Sequence, residues 1–144
     1  MLSPELARQL LDEAPELHFV LDTDVEDALH DPLRWECFMY WLPRLGPTSM
    51  VFIVDVIRQW QLRCLGDKVI VVAPNEYAPL LGVQTMALRR LLSRLLRFNI
   101  ITVDDGGFVH LNRWLPRLPN NELNRHSDEY RHAYEQYAAW CSHN

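Results

Sequence analysis

Residues 85–97, TMALRRLLSRLLR, restrict what this chain can fold into more than any other stretch. At 100° per residue, Leu88, Leu91, Leu92, Leu95, Leu96 and Phe98 fall on one arc, while Arg89, Arg90, Ser93, Arg94 and Arg97 fall on the opposite one. The leucine face has to pack on a core, so the arginines must meet solvent, a partner, or acids elsewhere in the fold. No acid occurs between Tyr77 and Val103. Four guanidinium groups on about three turns repel one another unless an anion is near, and phosphate fits them best through bidentate hydrogen bonds.

The flanking residues place this helix in an order. Asn75 to Gly82 reads as a short helix ended by a glycine turn, and Gln84 to Phe98 as the long helix. At Asn99 the period changes from helical to alternating, giving two short strands, Ile100 to Val103 and Phe108 to Leu111, around Asp104-Asp105-Gly106-Gly107. In an arrangement of helix, turn, helix and hairpin, the second helix enters the DNA major groove and the hairpin lies along the backbone. The competing reading is a surface helix whose arginines pair with acids from other parts of the fold.

Charge is segregated. Residues 1–48 carry three Lys or Arg against ten Asp or Glu, residues 49–118 carry nine against five, and residues 119–144 carry two against four. The centre is therefore basic although the chain totals −5. Uniform negative charge would oppose nucleic acid, since phosphate attraction supplies most non-specific affinity; segregation permits a basic face with acidic surfaces turned toward a protein partner.

The remaining elements follow from local chemistry. Ser3-Pro4-Glu5 starts a helix that ends before Pro15. His18 to Leu21 is apolar and leads into an acidic turn or N-cap cluster, Asp22 to Asp27, before a short helix. The acid spacing of that cluster is like that of a calcium loop, but Asp27 stands where Gly is needed and Leu33 where Glu is needed, so calcium binding is not expected. Leu33 to Leu42 is dense in aromatics and predicts a helix buried on several sides, broken from Pro43 onward. A helix from Met50 to Cys64, capped by Thr48 or Ser49, follows, with Val51, Val54, Ile57 and Leu62 inward. Lys68 to Ala73 predicts a strand pairing with the hairpin, and Ser127 to Ala139 a last helix with the stripe Tyr130, Ala133, Tyr134, Tyr137 and Trp140.

Several classes are excluded. Apolar runs are interrupted by Pro43, Asp55 and Lys68, so no membrane span is expected, and MLSPELARQL lacks a basic segment before an apolar one, so a cytoplasmic protein is expected. The three cysteines are widely spaced and His126 and His132 are six apart, which suggests neither disulfide nor metal. No nucleophile and base, Gly-rich phosphate loop or ligand cluster stands at recognisable spacing, so no enzyme activity and no cofactor is expected.

The arrangement resembles the winged helix-turn-helix superfamily, in its MarR-like branch. Within Pro47 to Leu118, LPRLGPTSMVFIV, LLGVQ, LRRLLSRLLRFNI and HLNRWLPRLP are similar to small actinobacterial winged-helix proteins of undefined function. The resemblance implies a mainly α fold with a small antiparallel sheet: an N-terminal helical extension over 1–46, the winged module over 47–118 and a C-terminal helix over 119–144. The arginine face predicts a transcriptional regulator reading double-stranded DNA, and the aromatic area of Trp35 to Leu42 and Tyr130 to Trp140, more than one small domain readily covers, predicts a homodimer through those segments with its recognition helices about 34 Å apart. Arg89, Arg90, Arg94 and Arg97 would hold phosphates while Gln84, Thr85 and Ser93 approach base edges. The hairpin departs from that pattern, having Asp104 and Asp105 where a phosphate-binding wing has Arg or Lys. The alternative is a winged-helix module for protein interaction or assembly without DNA binding.

Overall fold

Helix α1, Pro4–Glu13, begins as its residues dictate: Ser3 Oγ accepts a hydrogen bond from the Leu6 N–H at 3.3 Å, and Pro4 fills the first position, where a missing N–H costs nothing. The structure, a computed structural model, describes residues 1–23, 28–33, 35–63, 69–118 and 120–143. After α1 come β1 (Leu17–Asp22), β2 (Ala28–His30), α2 (Trp35–Leu45), α3 (Pro47–Leu62), β3 (Ile70–Val72) and α4 (Pro74–Tyr77), which runs into a 3-10 turn over Ala78–Leu81. The chain continues through α5 (Thr85–Arg97), β4 (Ile101–Val103), β5 (Val109–Asn112), β6 (Leu115–Pro116), α6 (Asn120–Leu123) and α7 (Asp128–His143). The fold is mainly helical with a small sheet.

That sheet is mixed, not antiparallel, and its order is β3-β1-β5-β4. Strand β1 lies between the other two segments, antiparallel to β3 with Phe19 opposite Ile70, and parallel to β5 with Phe19 opposite Val109. Hairpin β4–β5 pairs Ile101 with Leu111 and Val103 with Val109. Alternation then puts Leu17, Phe19, Ile70, Val72, Ile101, Val103, Val109 and Leu111 on one buried face. Two expectations are corrected by this geometry. The 68–73 strand meets β1 and not the hairpin, and residues 1–46 are not a purely helical extension, since they supply an internal strand of the sheet.

The helices cover the buried face. Phe19 packs edge-on against Phe52, and Phe52 against Tyr77, with centroids 5.6 and 5.5 Å apart. Tyr77 donates its hydroxyl to Asp55, and burial next to that carboxylate pushes the phenol well above its ordinary range. In α3 the buried residues are Met50, Phe52, Ile53, Val56 and Ile57, whereas Val51 and Leu62, expected inward, are exposed. The helix also starts earlier than expected: Gly46, at φ +84°, is its N-cap and Pro47 its first residue, with no side-chain cap from Thr48 or Ser49. Pro43 does not break α2, which continues to Leu45; the left-handed Gly46 ends it, a backbone shape that disfavours any residue with a Cβ. Of the acidic turn expected at 22–27, residues 24–27 lie outside the described residues; residues 28–30 are strand β2, paired with β6, and not a helix. Helix α3 ends at Leu62, with Arg63 as its C-cap, short of the expected Cys64.

Helix α7 packs on the body of its own chain. Tyr40 of α2 contacts Tyr130 and Tyr134 edge-on and stacks on Tyr137 at 5.0 Å, while the Tyr134 hydroxyl accepts from the Leu118 N–H at 2.6 Å. Tyr40, Trp41 and Tyr134 are buried within one chain, so these members of the segments expected at a homodimer interface have internal partners.

Because Phe19 sits at the middle of the sheet, Phe19→Ala is expected to cost about 3–5 kcal/mol of stability in urea denaturation. A loss within about 0.5 kcal/mol would mean that β1 is only an appendage.

Candidate anion-binding face on α5

Helix α5 is placed by its leucines. Leu88, Leu92 and Leu95 are fully buried and Leu91 nearly so, held among α1, α2, α3, α4 and β4. Gly82, at φ +71°, ends the preceding 3-10 turn and donates its N–H to the Pro79 carbonyl at 3.0 Å, which sets the angle at which α5 departs. Short helix, turn, longer helix and hairpin therefore follow in the expected order.

The four arginines of its polar face divide into two pairs. Arg89 donates through Nη1 to the Leu11 carbonyl at 2.7 Å and through Nη2 to the Ala14 carbonyl at 3.1 Å, closing the C-terminal end of α1. Arg94 donates through Nη1 to the carbonyl of Leu45, the last residue of α2, at 3.0 Å. Helix C-termini carry unsatisfied carbonyls and partial negative charge, so a guanidinium there is favourable on both counts. These two side chains thus hold neighbouring helices, a role the sequence reading did not assign them. Arg90 and Arg97 are exposed, and among the described residues neither pairs with a carboxylate; Arg97 lies over the Phe98 ring at 5.8 Å. Gln84, the N-cap of α5, is also exposed, while Thr85 and Ser93 are half-buried.

Helix α1 lies alongside this face and completes it. A cavity of about 620 Å³ between the two helices is lined by Arg8 and Asp12 from α1 and by Met86, Ser93 and the four arginines of α5. One carboxylate faces five guanidinium groups. Arg8 was missed in the sequence, although one signal was available: it is the only Lys or Arg in the first 33 residues. The chain matches no family model, no curated protein and no solved structure. What this face does has to be argued from its own chemistry.

Of the two hairpin acids, Asp104 serves the hairpin itself. Asp104 Oδ1 accepts from the N–H groups of Gly106 and Phe108, both at 2.9 Å, and Oδ2 meets His110 Nε2 at 2.8 Å. His110 Nδ1 meets Asp22 Oδ1 of β1 at 2.9 Å. The histidine is therefore bracketed by two carboxylates from different parts of the chain. The Asp104 carboxyl is held below its ordinary value, first by His110 and then by the Phe108 amide. Partial burial works against the charged imidazole, yet hydrogen bonds and charge from Asp22 and Asp104 leave His110 above its ordinary 6.5. No group of three or more His, Cys, Asp or Glu side chains among the described residues could hold a metal ion, and no helix among them is long and apolar enough to cross a membrane.

Two outcomes follow. Arg89→Ala is expected to cost about 1–3 kcal/mol, because two part-buried carbonyls lose a charged donor, and to lower hydrogen-exchange protection in α1 first; unchanged protection in α1 would contradict the capping role. His110, with its folded pKa raised, adds stability that is complete below pH 6.5 and is lost as pH rises through the folded value. Wild type compared at about pH 6 and about pH 8 is expected to lose denaturation midpoint relative to His110→Gln. Parallel pH profiles for the two proteins would contradict the bracket.

Proposed function

We propose that the chain binds nucleic acid through the solvent face of α5, as a DNA-binding module built on the winged helix-turn-helix plan. The observation that carries this reading is the pair Arg90 and Arg97, joined by Arg8, exposed on one face without a carboxylate partner among the described residues. Residues seven apart on a helix lie about 10.5 Å apart along its axis, so Arg90 and Arg97 meet successive phosphates more easily than one. Gln84 stands exposed at the start of the helix, the end that approaches base edges in this kind of docking. Phosphate contacts position such a module and base contacts specify its site.

The contact set is narrower than the sequence suggested. Arg89 and Arg94 already hold backbone carbonyls, and Asp104 is the acceptor that shapes its own turn, so hairpin contacts with phosphate do not enter the proposal. A homodimer is not part of it either, because Tyr40, Tyr130, Tyr134 and Tyr137, from the segments that would have formed its interface, pack on each other.

Fluorescence anisotropy with duplex DNA at about 50 mM and about 200 mM salt tests the reading. The double substitution Arg90→Ala with Arg97→Ala is expected to reduce the log–log salt slope by about two, roughly one per phosphate contact. Gln84→Ala is expected to relax sequence preference, by about 1–3 kcal/mol where it makes a good base contact. Absence of affinity near about 50 mM salt, or an unchanged slope in the double variant, would replace this reading with the interaction module.

A further inference from the structure

The cleft between α1 and α5 has two walls, and each contributes charge. Arg8 and Asp12 line it from α1, and Met86, Arg90 and Arg97 from α5; its volume of about 620 Å³ is that of a small-molecule site. The walls are packed helices, since α1 buries Ala7 and Leu11 in the core it shares with α5 and has its C-terminal carbonyls held by Arg89. Axes of packed helices lie about 8–10 Å apart. The cleft therefore admits one slender molecule, whereas a duplex reaches only the arginines at its rim.

Three features of this cleft go beyond attraction to a phosphate. Arg8, Arg90 and Arg97 are exposed and make no ion pair among the described residues, so cations from opposite walls converge on one space with their repulsion unrelieved. Asp12 lines the same space and, among the described residues, pairs with none of the guanidinium groups there. An ionised carboxylate only accepts hydrogen bonds, so Asp12 is open to a donor on the ligand. Met86, in the first turn of α5, is 60% exposed among these charges. Its thioether suits the face or edge of an aromatic ring. Met86 and Arg97 are eleven residues apart, about 16.5 Å along the helix axis, which sets the apolar end of the cleft away from a charged one. Inorganic phosphate answers only the first feature. A nucleotide, with phosphoryl oxygens, hydroxyl and amino donors and a flat ring, answers all three.

We propose that the α1–α5 cleft binds a free nucleoside triphosphate: Arg8, Arg90 and Arg97 hold its phosphates, Met86 meets the base, and Asp12 accepts from the donors of the nucleoside. Guanidinium forks match phosphoryl oxygens bidentately, and supplying them from two helices selects a ligand small enough to lie between those helices. Arg90 and Arg97 are also the cations assigned above to duplex phosphates, so the nucleotide displaces nucleic acid and regulates its binding. That competition rests on the nucleic-acid reading; the nucleotide site itself rests on the cleft alone.

The test titrates the whole chain by calorimetry with ATP, with GTP and with inorganic tripolyphosphate, at constant ionic strength. Saturable binding of at least one nucleotide is expected, about fivefold or more tighter than tripolyphosphate. Arg8→Ala is expected to weaken nucleotide and tripolyphosphate alike by about tenfold, and Met86→Ser to weaken the nucleotide alone, by about fivefold. Both side chains are exposed, so the variants keep the fold. Tripolyphosphate binding as tightly as both nucleotides, no saturable binding, or an Arg8 variant that binds like wild type would overturn the proposal. A second arm adds the better nucleotide to the chain bound to labelled duplex at about 50 mM salt. Displacement is expected, and simultaneous binding of the two would overturn the competition. Duplex affinity without nucleotide affinity would reject the cleft site and keep the nucleic-acid reading, whereas nucleotide affinity without duplex affinity would do the reverse.

Discussion

Everything else in the molecule depends on how α5 is gripped. Its leucine face supplies the hydrophobic side of that grip, and Arg89 and Arg94 supply the polar side by closing the C-termini of α1 and α2. Each helix end would otherwise leave carbonyls unsatisfied against a neighbouring surface. The same helix therefore packs the core, caps two others and presents its remaining cations outward. A helix placed this firmly suits a role as a rigid platform for ligand contacts.

The hairpin and the N-terminal segment form the second constraint. Strand β1 joins β3 to β5 across nearly the whole chain, and Asp22 at its end meets His110, which in turn meets Asp104 at the hairpin turn. The amine of Met1 pairs with Asp105 at 2.9 Å and the Leu2 N–H bonds the Val103 carbonyl at 3.2 Å, so α1 starts at the hairpin and ends at Arg89. The surface pair with Asp105 contributes little by itself, as both groups are well exposed. Its backbone companion matters more, because it covers part of the outer edge of β4.

Parts of this were legible in the sequence because they depend on local chemistry. Ser3-Pro4, the leucine arc of α5, the left-handed Gly82 and the Asp104 to Gly107 turn each carry their own signal. The fate of the arginines was not legible, since their partners are the backbone carbonyls of Leu11, Ala14 and Leu45, and no side-chain pattern marks a carbonyl. Strand β1 was hidden because HFVL is short and its pairings are non-local, and this also made the sheet mixed. Helix α3 was misphased because SMVFIVDVI is apolar almost all round, so Val51 looked as suitable for the core as Phe52. Its uncapped start, with Ser49 buried beside Arg94, became visible only once α2 and α5 were in place.

The central claim is that one row of four arginines is divided by function, with Arg89 and Arg94 structural and Arg90 and Arg97 free to bind. Guanidinium resonances of the ligand-free protein test it most directly, since hydrogen bonding slows rotation about the Nε–Cζ bond. The account predicts resolved, slowly rotating guanidinium groups for Arg89 and Arg94, with averaged signals for Arg90 and Arg97. Averaged signals from all four would contradict it.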